Sequence, residues 1–154
     1  MEEECGPPRW FYKTGTRPPT DDAYFENMTR VIFQAGLSWR VIERKWLNFQ
    51  KAFKTFSIDR VARFGDDDME RLMADEGIVR NRRKILATIY NARQFQTIKK
   101  EFGSLQSYIN ILDKSNNYAL AIKELCKKFK HLGPSSARIF LYSVGENVRH
   151  IPQG

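Results

Sequence analysis

Six residues, Gln34-Ala35-Gly36-Leu37-Ser38-Trp39, break an otherwise helical pattern and so constrain what the chain around them can become. Ahead of them Tyr24, Phe25, Met28, Val31 and Ile32 recur at helical spacing between Asp21 and Gln34. Gly36 is a natural helix stop, and Ser38 a natural N-cap for a second helix beginning at Trp39. The pattern predicts a tight elbow between two helices, with Leu37 at its tip and Trp39 on the first turn beyond. Two uses are open to such an elbow. Its leucine and indole can fill a core, as in an ordinary helix–helix turn. Alternatively, an apolar tip beside a flat ring can part a stack of bases and receive one of them.

The rest of the chain carries the same helical grammar. Ser38 opens a helix to about Phe53, Ser57 a short one to Phe64, and Asp66 another to Ala74. A long helix is predicted from about Arg82 to Lys100, with Ile85, Leu86, Ile89, Ala92 and Phe95 on one face. Ser104 caps a short helix to Leu112, Asn117 one to about Lys128, and the last runs from near Ser135 to before Gly145. No stretch alternates with period two long enough to be a strand, so the fold is expected to be all-α, a compact bundle of short helices. Residues 1–19 read as an irregular Pro- and Gly-rich lead-in and residues 20–154 as one helical domain.

Composition narrows the partner. A chain of 154 residues, 42% hydrophobic and 13% aromatic, can bury one core and is short for two domains. The net charge of +8 favours an anionic partner, without separating nucleic acid from an anionic membrane surface. No apolar run is long enough to span a bilayer, and Glu2-Glu3-Glu4 is unlike the start of a signal peptide. Cys5 and Cys126 do not suggest a disulfide framework. An intracellular domain is the expectation.

The last two helices are joined by Lys130-His131-Leu132-Gly133-Pro134, room only for a tight hairpin. Gly133 is expected to take a backbone conformation closed to other residues, and Pro134 to stiffen the start of the next helix. The free amides of that helix's first turn, near Ser135, Ser136 and Ala137, form a phosphate site that needs no side-chain cation. Lys127, Lys128, Lys130 and Arg138 surround it. Arg80, Arg82, Arg83 and Lys84 form a second basic cluster before the long helix, read either as a solvated face or as a second phosphate contact.

Taken in order, these pieces resemble the 3-methyladenine DNA glycosylase I family. The elbow, the helix end at Phe49 to Phe56, Asp75 to Ile85, Asn91-Ala92-Arg93 and Phe129 to Pro134 all have counterparts there, and the likeness runs from about Tyr24 to His150. The resemblance implies a helix-hairpin-helix DNA anchor near the C-terminus and duplex DNA with an alkylated base as partner. It also implies a glutamate eight residues ahead of the tryptophan matching Trp39; that position is Val31. An aspartate that the wider superfamily carries after its hairpin falls at or near Val148. The family's zinc site keeps only Cys5 and His150 here, and two ligands do not make a structural zinc site, so no metal or other cofactor is expected. Glu26, on the same predicted helix as Val31, reads as a partner of Arg30.

Without the carboxylate, what remains is positioning. A ring-alkylated base is cationic and its glycosidic bond is already labile, so stacking and extraction from the duplex can supply much of the catalysis. Leu37 is the expected wedge, and Trp39, Phe33 and Trp10 the expected aromatic walls of the base pocket. Lys130, Leu132, Gly133, Pro134, Ser135, Ser136 and Arg138, with Arg80, Arg82, Arg83 and Lys84, are the expected DNA contacts. The sequence thus points to a monomeric, monofunctional glycosylase for alkylated purines in base-excision repair. The alternatives are a catalytically silent DNA- or lesion-binding domain and a helical protein–protein module.

Overall fold

Thr20 opens the first helix: its hydroxyl accepts the amide of Ala23, and Asp21 and Asp22 set negative charge at the positive end of the helix dipole. In the computed structural model, which describes residues 16–149, this is α1, Asp21–Gln34. Then follow α2 (Trp39–Ala52), a short 3-10 turn (Lys54–Phe56), α3 (Ile58–Ala62), α4 (Asp66–Met73), α5 (Arg82–Phe102), α6 (Leu105–Asn110), α7 (Ser115–Lys128) and α8 (Pro134–Ser143). The described residues contain no strand, and the all-α expectation holds. Trp10, Cys5 and His150, all weighed above, lie outside the described residues.

Local chemistry accounts for most boundaries. Ser38, Ser57, Asn81 and Ser104 each cap a helix by accepting a backbone amide with a side-chain oxygen. Gly65 has no such side chain, and Asp68 closes that end instead by accepting the Gly65 amide at 3.0 Å. That bond holds the Asp68 carboxyl below its ordinary pKa. Two elements differ from the sequence reading. Asn117 does not cap α7: Asn116, Asn117 and Tyr118 have φ of +54°, +54° and +68°, so the regular right-handed run begins only after them. The Asn117 side chain is occupied elsewhere, exchanging two hydrogen bonds with the Arg149 backbone at 3.0 and 2.7 Å. Leu86, assigned to the inner face of α5, is 45% exposed, because it lies about 100° round the helix from Ile85.

The core is aromatic. Trp46, Phe49, Phe53 and Phe56 stack in series, and Phe25 stands edge-on to both Phe56 and Phe95. Such pairs contribute about 0.5–1.5 kcal/mol each beyond simple burial. The 21-residue α5 runs through the bundle against α1, α3, α4 and α6. Two carboxylates of α1 lock neighbouring helices to it. Asp22 accepts the Ile58 amide at the start of α3 (3.0 Å), and Asp21 the Leu105 amide at the start of α6 (3.1 Å).

Candidate nucleic-acid interface

The elbow forms as its residues dictate. Gly36 sits at φ +82°, a left-handed turn natural to glycine, and the Leu37 amide closes onto the Gln34 carbonyl at 2.9 Å. Ser38 accepts the Arg40 amide at 3.2 Å and starts α2 at Trp39. Leu37 is 39% and Trp39 38% exposed, so neither fills the core. The face of the Trp39 ring holds a cation already, the Arg40 guanidinium at 5.5 Å.

Lys84 is what fixes this elbow. Its ammonium donates to the carbonyls of Ala35 (2.8 Å) and Phe33 (3.2 Å), satisfying the open C-terminal end of α1. Partial burial pushes its pKa down. The expectation of a DNA contact at Lys84 is thus replaced by an inward one, because the end of α1 offers unpaired carbonyls where it meets α5. Arg80, Arg82 and Arg83 remain exposed beside it.

The hairpin is held from the same helix. Asn91, buried in α5, accepts the Lys130 amide at 2.9 Å and donates to the Lys130 carbonyl at 3.1 Å, while Gln94 donates to the Lys128 carbonyl at 2.9 Å. The Lys130 ammonium lies 4.3 Å above the Tyr90 ring. Pro134 is the first residue of α8 and no side chain caps that helix, which leaves its first-turn amides at the exposed Ser135 and half-exposed Ser136 facing outward. Three details depart from expectation. Gly133 has φ −82°, open to any residue, and the left-handed turn falls at His131 (φ +60°) instead. A Cβ at Gly133 would meet nothing within 4 Å, so neither the backbone conformation nor the space around it requires glycine. Leu132 is buried in the core, and Arg138 turns away from the hairpin to the carbonyls of Asn117 and Arg149, both at 3.3 Å.

Phe33 belongs to the core as well, wholly buried with its ring edge-on to Phe49 at 4.8 Å. Val31 is buried too. No carboxylate of α1 stands free for chemistry. Asp21 and Asp22 cap helices, and Glu26 accepts from Trp46 Nε1 (2.7 Å) and Gln50 (2.9 Å) and pairs with Arg30 at 3.8 Å. Burial lowers Arg30 to a pKa of about 10, with the Glu26 charge opposing the fall, so it is a cation at neutral pH. Glu146, which the sequence reading passed over, is a buried carboxylate just before Asn147. It is occupied by Lys114 and the Tyr118 hydroxyl, each at 3.0 Å; burial, and next the Glu146 charge, push Tyr24 up to about 12.

Sequence reasoning also passed over the roles of Asn91 and Asn27. The available signal was a polar residue set into an apolar stripe: Asn91 among Ile85, Ile89, Ala92 and Phe95, and Asn27 among Tyr24, Met28 and Val31. Both are buried, but only Asn91 is paired.

Known proteins share this sequence pattern and fold. Residues 12–139 match the sequence profile of the methyladenine glycosylase family. DNA-3-methyladenine glycosylase 1 of Escherichia coli is 42% identical over 79 residues, which are 51% of this chain and 42% of that protein. The corresponding Haemophilus influenzae enzyme is 31% identical over 76 residues, 49% of this chain and 41% of that one. The matched stretch spans about two fifths of these curated relatives. In three dimensions the likeness is broader. The 3-methyladenine DNA glycosylase I of Staphylococcus aureus superposes with a TM-score of 0.73 at 27% identity, over 91% of this chain and 87% of that one. A variant 3-methyladenine DNA glycosylase I in complex with 3-methyladenine gives the same TM-score at 29% identity, over 85% of this chain and 80% of that one.

Proposed function

Because this chain belongs to the methyladenine glycosylase family, we propose that it excises alkylated purines of the 3-methyladenine type from duplex DNA. The observation that carries the reading is the exposed Leu37–Trp39 pair on an elbow braced by Lys84, one helix away from a hairpin with open backbone amides. The hairpin amides, with Lys130 and the exposed Arg80, Arg82 and Arg83, take backbone phosphates. Leu37 enters the base stack and Trp39 receives the extruded base.

The chemistry rests on the charge of the lesion. An alkylated purine is a cation, and the Trp39 face already accepts one in Arg40; a bound base displaces that guanidinium and takes its place. Holding the base out of the stack then leaves a labile bond to hydrolyse, with no protein carboxylate in the position of Val31 to assist. Neutral damaged bases are not substrates on this reading. No lysine nucleophile is required, and the product is an abasic site in an intact strand.

The same valine supports a second reading, a lesion-binding domain that has lost catalysis. Mass spectrometry of bases released from methylated duplex DNA, beside an enzyme-free control, separates the two. Release of 3-methyladenine above the control is expected. Release at the control rate by a protein that still binds the duplex would leave only the silent domain.

A further inference from the structure

Six polar residues are buried among the described part of the chain: Asn27, Thr29, Thr88, Asn91, Ser143 and Glu146. Five are answered. The Thr29, Thr88 and Ser143 hydroxyls donate to the carbonyls of Phe25, Lys84 and Phe140, Asn91 pairs with Lys130, and Glu146 with Lys114 and Tyr118. Asn27 is the exception: it is wholly buried, and neither its Nδ2 nor its Oδ1 has a hydrogen-bond partner. A buried amide with both polar atoms orphaned is rare in a folded protein, and it is accounted for when a ligand supplies the missing partners.

Its place on α1 says which ligand. Asn27 lies four residues, one helical turn, before Val31, so the two share a face of α1 at the position where the glycosylase reading expects the damaged base. Glu26 cannot serve there, because Trp46, Gln50 and Arg30 already hold it. We propose that the Asn27 amide is the base-reading group of this protein, accepting from the exocyclic amine of the extruded adenine and donating to an adjacent ring nitrogen. Side-by-side donor and acceptor are what a carboxamide offers and what an adenine edge requires. Burial makes the contact selective, since a base reaches Asn27 only once it has left the duplex. A neutral amide also suits a cationic substrate whose bond needs no proton donor. The inference rests on the glycosylase reading and adds to it a contact residue for the base.

The test is Asn27→Leu, nearly the same size without either polar atom. Free 3-methyladenine is titrated into wild type and variant, with tryptophan fluorescence as the readout, beside thermal melting and binding to undamaged duplex. The variant is expected to bind the free base about 10- to 100-fold more weakly. It should bind undamaged duplex as wild type does and melt no lower, because no protein hydrogen bond is lost. A folded variant that binds 3-methyladenine as tightly as wild type would overturn the assignment while leaving the glycosylase reading intact. So would a marked fall in the melting temperature of both Asn27→Leu and Asn27→Ala, which would mean that the amide serves the fold. If the wild type itself neither binds nor releases 3-methyladenine, the glycosylase reading fails first. Asn27→Ala, which adds no bulk, repeats the measurement should the leucine protein not fold.

Discussion

The elbow between α1 and α2 and the hairpin between α7 and α8 are built alike and present different surfaces. Both hang from α5. Lys84 on its first turn holds the carbonyls at the end of α1, and Asn91, two turns on, holds Lys130 in the hairpin. Seven residues at a rise of about 1.5 Å put these two supports about 10 Å apart along one rigid helix. Beyond that they diverge. The elbow presents side chains, Leu37 and Trp39, whereas the hairpin buries its leucine and presents main-chain amides. A site that sorts one base from others needs side chains of particular shape. A site that grips phosphates on any sequence needs only backbone held still.

That contrast can be broken by substitution, with the largest effect expected at the hairpin support. Asn91→Leu removes both bonds to the Lys130 backbone and leaves that peptide unanswered. It should cost about 3 kcal/mol of stability and much of the affinity for undamaged duplex. Chemical denaturation and duplex titration check it; an unchanged protein would mean that the hairpin holds itself.

Trp39→Ala should leave undamaged-duplex affinity alone and weaken binding to lesion-bearing DNA by about 2 kcal/mol, the scale of one base–aromatic stack. Equal losses on damaged and undamaged duplex would erase the division of labour. Lys84→Met keeps the side-chain bulk and frees the end of α1. A loss of about 1 kcal/mol in lesion binding, with undamaged-duplex affinity retained, is the expected outcome. Lys130→Ala should make the salt dependence of duplex affinity shallower by about one unit, the signature of a single phosphate contact.

Smallest of all is Gly133→Val. At φ −82° with open space around it, the substitution should change stability by less than about 0.5 kcal/mol. Whatever duplex affinity it loses reflects crowding of the phosphate, so a protein that melts much earlier would show that the glycine serves the turn after all.

How much of this was legible beforehand follows the same line. Helix ends set by local chemistry, such as Ser38, Ser57 and Ser104, sit where short-range patterns put them, and so does the elbow with Gly36 at its corner. The roles of Lys84, Arg138, Leu132 and Phe33 were not legible, because each depends on a partner distant in sequence. Lys84 meets carbonyls 49 and 51 residues away, and no charge pattern separates it from the exposed Arg82 and Arg83. Gly133 misled for a different reason: a glycine in a tight turn suggests positive φ, and here His131 takes that strain. Asn27 shows itself only by contrast, since a polar residue in an apolar stripe is equally consistent with the satisfied Asn91 and with an orphan.

On the proposed reading this site removes a base by extraction and positioning, with Val31 where a carboxylate would assist. The rate of single-turnover release from methylated duplex DNA, followed from about pH 4.5 to 8 and corrected for spontaneous loss, tests it most directly. The account predicts a release rate flat across the carboxylate range for the cationic base, and no release of a neutral damaged base such as hypoxanthine. A rate that rises or falls with a single carboxylate titration, or clear release of the neutral base, would contradict it and point to an acid in the site.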